Sequence, residues 1–238
     1  MANDYFRFKQ FTIQQDRCAM KVGTDGTLLG AWVRPNGRKL LDVGTGTGLI
    51  ALMLAQRNPD AVIDAVEIDA DACSQAKENV KDSPFADRIC VIHASFSDYA
   101  SHTTLKYDLV VSNPPYFVRS LKNPDEQRCI ARHTDALPLE ELLEKSKELL
   151  LPGGRIALIL PSVREKELVA LACGKELGIV RQTDVVPVSG SVAKRLLVEL
   201  SVSSSAPAER DTLPIEKARG AYSQAYVALT QNFYLKMP

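Results

Sequence analysis

The residue types most suggestive of chemistry lie in Val111-Ser-Asn-Pro-Pro-Tyr-Phe117. Two consecutive prolines fix φ and push the residue before them out of helical space, so Asn113 stands on a stiff support at the end of an apolar run. An amino group conjugated to an aromatic ring or a carbonyl has a delocalised lone pair and is a poor nucleophile. The side-chain carbonyl of Asn113 and the main-chain carbonyl of Pro114 can accept its two hydrogens, which leaves the lone pair aimed at an electrophilic carbon. Pro115 stiffens the turn. Tyr116 offers a π face on which a planar ring can stack, worth about 1–3 kcal/mol. Such a site works by positioning and by electrostatic complementarity to a developing cationic nitrogen. It needs no strong general base, and the motif holds no His or Glu. The competing reading is a turn that merely ends a strand, as Asn-Pro often does.

A second stretch, Leu40-Leu-Asp-Val-Gly-Thr-Gly-Thr-Gly-Leu-Ile50, reads as a strand entering a glycine-rich turn and then a helix. Glycines allow a tight turn and close approach of a ligand to the backbone, and the helix start presents free amide donors. The spacing Gly44-x-Gly46-x-Gly48 departs from the Gly-x-Gly-x-x-Gly of dinucleotide binders, because Leu49 fills the last position. Asp42 at the loop's entrance would repel a pyrophosphate and suits a cationic amino group. Glu67, in Ala65-Val-Glu-Ile-Asp69, follows the loop by about 20 residues, the distance at which an acid reaches ribose hydroxyls. Asp69 reads equally well as a helix N-cap. Together these residues resemble the S-adenosyl-L-methionine motifs of class I methyltransferases. The resemblance implies that cofactor, with S-adenosyl-L-homocysteine as product, and places Asp42, Gly44, Thr45, Gly46, Gly48, Glu67, Ile68 and Asn113 around it. Family members often contact the adenine with a polar residue after the third strand. Here Ala94-Ser-Phe-Ser-Asp98 has no acid directly after the strand, which leaves Ser95 and Phe96 as the candidate contacts.

Both turns must be carried to one edge of a common support. From Lys39 onward, apolar runs of strand length alternate with amphipathic stretches of helix length, the pattern of repeated βα units. Strands are expected at 39–43, 62–68, 89–93, 107–112, 155–160, 179–188 and 195–201, and helices at 49–57, 70–83, 139–150 and 163–177. Pro152-Gly-Gly154 reads as a chain reversal before the fifth strand. The early strands are rich in Val, Ile and Leu on both faces, as in a parallel sheet covered by helices on each side. The expected fold is α/β and Rossmann-like: a seven-stranded, mostly parallel sheet between helices, preceded by a short strand flap.

The flap is read from the near-alternation of Phe6, Phe8, Phe11 and Ile13. Asp25 reads as the cap of a helix carrying Leu28, Leu29 and Trp32. The polar stretch 203–211 reads as a loop, and residues 222–235 as a docked helix and tail. Residues 117–137 lack an apolar period and follow a strand end, which makes them a candidate lid. One methyltransferase domain over 1–238 is expected, with 1–38 as flap and first helix, 39–202 as cofactor-binding core and 203–238 as a packed tail.

With 29 basic and 29 acidic residues the chain has no global positive field, so a polyanionic partner needs a local basic patch. Five scattered cysteines without a Cys-x-x-Cys pair point to reduced thiols. No apolar run approaches the ~18 residues that span a bilayer. A soluble, cytoplasmic chain follows, with no membrane partner and a monomeric state favoured. Cys129 and His133 have ligand-like spacing, yet two ligands make no closed site, and no metal is expected.

The opening Phe6-Arg-Phe-Lys-Gln-Phe-Thr-Ile-Gln-Gln-Asp-Arg-Cys-Ala-Met-Lys-Val-Gly-Thr-Asp-Gly-Thr-Leu-Leu-Gly-Ala-Trp32, together with Ala131-Arg-His-Thr134 and Asn232-Phe-Tyr-Leu235, resembles the YfiC-like bacterial valine-tRNA adenosine-37 N6-methyltransferases over nearly the whole chain. The resemblance implies tRNA as partner and the N6 amino group of an anticodon-loop adenosine as acceptor, an unstacked base of the kind proteins read in RNA loops. Arg7, Lys9, Arg17 and Lys21 in the flap, with Arg119, Lys122, Arg128, Arg132 and His133 in the lid, are available for RNA. Of these, Lys21, Arg119, Arg132 and His133 are the candidate substrate contacts. The Asn-Pro-Pro-Tyr turn alone also fits guanine N2 methylation of rRNA or N5 methylation of a protein glutamine. A nicotinamide oxidoreductase is disfavoured by the glycine spacing, and an inactive RNA-binding module by intact Asp42, Glu67 and Asn113.

Overall fold

The computed structural model describes residues 3–18, 20–115, 137–202 and 207–237. Two short strands, β1 (Tyr5–Arg7) and β2 (Thr12–Gln14), form the antiparallel flap expected from the alternating aromatics. Phe8 and Ile13 are fully buried on it. Helix α1 (Thr24–Trp32) follows, and then β3 (Lys39–Val43), α2 (Leu49–Arg57), β4 (Val62–Glu67), α3 (Ala70–Lys81), β5 (Ile89–His93), α4 (Phe96–His102) and β6 (Tyr107–Ser112). The chain continues through α5 (Leu139–Glu148), β7 (Leu150–Pro161), α6 (Glu165–Gly174), β8 (Leu177–Val188), β9 (Arg195–Val202), β10 (Glu209–Ala218), β11 (Ala221–Tyr222) and α7 (Gln224–Thr230). Among the described residues no helix is long and apolar enough to cross a membrane.

Among the described residues nine strands form the main sheet, in the order β11-β10-β8-β9-β7-β6-β3-β4-β5. β3 through β7 are mutually parallel, β9 runs antiparallel between β7 and β8, and β10 pairs parallel with β8. The seven expected strands are all present, and β10 and β11 extend the sheet beyond them. β10 has the sequence Glu-Arg-Asp-Thr-Leu-Pro-Ile-Glu-Lys-Ala, charged and interrupted by Pro214, which is how strands near a sheet edge are built and why no alternation marked it. Pro152-Gly-Gly154 is not a reversal between elements: it lies within β7 as an irregularity, where the pairing with β6 jumps from Tyr107↔Leu150 to Leu109↔Arg155.

Successive residues of each central strand face opposite sides, and two cores result. Leu40, Ile63, Leu109, Val111 and Ile159 pack with α1, α2 and the flap on one face. Leu41, Val66, Val110, Leu158 and Leu160 pack with α4, α5 and α6 on the other. In this order β3 leads to β4 on one side while β6 joins on the other. The space between the carboxyl ends of β3 and β6 is therefore the switch point at which open α/β sheets take ligands.

Candidate active site

Sheet register brings the two sequence motifs together. Val43, the last residue of β3, is opposite Val66 on β4 and Ser112 on β6. Asn113 therefore emerges beside the glycine loop, and the Ser112 hydroxyl, donating to Val43 O at 2.8 Å, ties the two strand ends. Pro114 is buried and Pro115 exposed. Tyr116 lies outside the described residues, as do Arg119, Arg132, His133, Cys129 and nearly all of the candidate lid.

The loop is held from β4, since Gly44 N and Thr45 N donate to Val66 O at 2.9 and 3.1 Å. Gly44 and Gly46 have φ of +68° and +58°, and a Cβ at either would meet nothing within 4 Å among the described residues. Their bare backbone thus borders open space that a ligand can fill, in a conformation that side chains resist. Glu67 is nearly buried and accepts from Gly46 N at 2.8 Å and from Asp69 N at 2.9 Å, so its carboxylate is oriented by main-chain donors on both oxygens. Ile68, beside it, is exposed at the rim.

Asp42 is fully buried beneath the loop. Its Oδ2 accepts from Thr45 Oγ1 at 2.6 Å and Ala51 N at 3.1 Å, while Oδ1 has no hydrogen-bond partner among the described residues. Burial pushes the carboxyl up to about 7, against the two hydrogen bonds that favour the anion, and the charge of Glu67 adds to the rise.

Ser95 caps α4, its Oγ accepting from Asp98 N at 3.0 Å, and Phe96 is buried in the second core. Asp69 is an N-cap, accepting from Ala72 N at 2.8 Å. Asp25 is not: the N-cap of α1 is Gly23, without a side-chain bond, and Asp25 instead pairs with Arg195 at 2.7 Å. Lys21 donates to Asn3 O at 3.1 Å and faces Asp4 at 3.6 Å, which places it in the flap's own contacts.

Several residues that position the site have no signature in the sequence. Asn79, buried on α3, exchanges bonds with Gln14, accepting from its N at 2.8 Å and donating to its O at 3.0 Å, and donates also to Thr47 O at 2.9 Å. Gln75, one turn earlier, accepts from Arg17 N at 3.2 Å and donates to Asp16 at 2.6 Å. The two amides fasten the flap to α3, and Asn79 extends the link to the glycine loop, yet in the sequence they read as the polar face of an amphipathic helix. Gly26 is the one with a usable signal, since a glycine inside a helix implies close approach. A Cβ there would lie 3.1 Å from Leu49 Cδ2 and 3.9 Å from Asn113 Nδ2.

The methyltransferase small domain family model matches residues 22–174. A tRNA1(Val) (adenine(37)-N6)-methyltransferase of Parabacteroides distasonis is 52% identical over 238 residues, all of both chains. Among solved structures, a predicted O-methyltransferase of Agrobacterium tumefaciens superposes with a TM-score of 0.70 at 21% identity, covering 88% of this chain and 96% of its own. A glycopeptide N-methyltransferase complexed with (S)-adenosyl-L-methionine superposes with a TM-score of 0.55 at 15% identity, covering 77% and 90%.

Proposed function

The chain belongs to the methyltransferase small domain family and, within it, to the tRNA1(Val) (adenine(37)-N6)-methyltransferases, and from that premise we propose how its residues methylate the N6 amino group of adenosine 37. The observation that carries the reading is the placement of Asn113-Pro-Pro beside the Gly44–Gly48 loop at the switch point of the sheet. S-adenosyl-L-methionine, when bound, supplies an electrophilic sulfonium methyl. The open cradle at Gly44 and Gly46 and the buried acid below it fit that cofactor.

Glu67 takes the ribose hydroxyls. Its oxygens are already aligned by Gly46 N and Asp69 N, and each keeps a further lone pair for a ligand. Asp42 supports the loop and provides negative charge toward a cationic amino group, whose arrival favours the ionised carboxylate. Ile68 and the start of α4 at Ser95 and Phe96 border the adenine. With Phe96 committed to the core, the contact there is made by main chain and by Ser95.

At the acceptor, Asn113 and the Pro114 carbonyl receive the two amino hydrogens and turn the nitrogen lone pair toward the methyl, and Tyr116 stacks on the adenine ring. The nitrogen becomes far more acidic as it gains the methyl, and its proton leaves to water. Arg119, Arg132, His133 and Lys21 are the proposed RNA contacts, and a cytoplasmic enzyme without a metal is the accompanying reading.

Incubation with labelled S-adenosylmethionine and tRNA from a strain lacking the modification, followed by digestion to nucleosides, tests the proposal. Label is expected in N6-methyladenosine. Label in guanosine or in protein refutes the acceptor assignment.

A further inference from the structure

The first turn of α1 comes up against Asn113 from outside the sheet. A methyl group at Gly26 would touch both Leu49, the first residue of α2, and the Asn113 amide, so this turn is the wall beside the Asn113 side chain. No cap sets its position, because Gly23 contributes no side-chain bond. The neighbouring Asp25 instead reaches Arg195, Nε to Oδ2 at 2.7 Å. Arg195 opens β9 in register with Pro161 at the carboxyl end of β7, and its Nη1 donates to Lys194 O at 3.0 Å. The guanidinium is thus engaged from two directions within the chain. A carboxylate in a first helical turn is also favoured by the helix dipole.

We propose that the Asp25–Arg195 pair is a strut that sets how closely α1 approaches Asn113, which makes Asp25, Gly26 and Arg195 positioning residues for methyl transfer. The inference rests on the reading of Asn113 as acceptor of the amino hydrogens. Its function follows from geometry: the pair joins elements 170 positions apart in the chain at the rim of the site, where their separation decides the room beside Asn113. Misplacement of a reacting group by about 1 Å costs up to about a hundredfold in rate.

The test is steady-state methylation of an unmodified valine-tRNA transcript by wild type, Asn113→Ala, Asp25→Asn, Arg195→Gln and the Asp25→Asn/Arg195→Gln double variant. Each single change at the strut is expected to lower kcat by about tenfold or more, and the double change to go no lower than the worse single. KM for tRNA and affinity for S-adenosylhomocysteine by calorimetry stay within about twofold, and Arg195→Lys restores most of kcat. Gly26→Ala crowds the same turn through Leu49 and should give the same split, which keeps the question decidable if a strut variant does not fold. Unchanged kcat in folded Asp25→Asn overturns the strut. So does a raised tRNA KM in Arg195→Gln with Asp25→Asn silent, which makes Arg195 a phosphate contact. An inactive wild type, or an active Asn113→Ala, overturns the acceptor reading and the strut with it.

Discussion

Asp42→Asn isolates the electrostatic cost of the buried acid under the glycine loop. In the folded chain this carboxyl moves from its ordinary 3.8 up to about 7, with burial as the main cause. A raised carboxyl contributes stability that is complete below its unfolded value and is lost as pH rises through the folded one. For a fully buried group the loss amounts to about 4 kcal/mol above pH 8, of which about 3 kcal/mol develops between pH 5 and pH 8. Asparagine keeps the acceptor for Thr45 Oγ1 and Ala51 N but puts an amide NH2 where Oδ1 has no partner among the described residues, a pH-independent cost of about 1–3 kcal/mol. Wild type and variant should therefore be close in stability at about pH 5, with the variant ahead by about 2 kcal/mol at about pH 8. Urea denaturation of both proteins at the two pH values measures this, and groups not coupled to Asp42 cancel in the difference. Parallel pH profiles would refute the argument that Asp42 is destabilised by burial. The same variant should bind S-adenosylhomocysteine about tenfold or more weakly at the higher pH, which separates a structural acid from one retained for the ligand.

Glu67→Gln presents an NH2 to one of the two amide donors now bound by the carboxylate, so product affinity should fall by about 1–3 kcal/mol in calorimetry with the fold retained in circular dichroism. Gly46→Ala puts a Cβ into the open cradle at φ +58°, which should lower thermal stability by about 1 kcal/mol and cofactor affinity by considerably more. Asn113→Ala should abolish transfer while leaving product binding nearly intact, and loss of both would make Asn113 structural. Asn79→Ala removes three bonds between flap, α3 and loop, and should expose the flap to limited proteolysis before the remainder of the chain is cut.

The parts of this molecule legible in the sequence are those dictated by near neighbours in the chain. The glycine loop, the acid ending β4 and the proline turn each depend on a few adjacent residues, and the strand pattern was enough to place them at one edge. What escaped depends on partners far away. Asp25 had a helix start beside it and looked like its cap, yet Arg195 is its partner. Gln75 and Asn79 look solvated until the flap arrives to bury them. β10 is a strand because β8 offers it a ladder, not because of its own charged residues. Nor does the sequence show that, at the end of the third parallel strand, Ser95 caps α4 and Phe96 joins the second core.

Phe8 bridges to Tyr234, their rings stack at 5.9 Å, and Lys9 N donates to Phe233 O at 2.8 Å. The flap, which Asn79 ties to the glycine loop, precedes the whole main sheet in the chain, yet it cannot be fully seated until residues 233 and 234 have been made. Maturation of the site is thereby tied to vectorial translation: a nascent chain can complete its sheet from β3 to β9 while the flap stays unlatched.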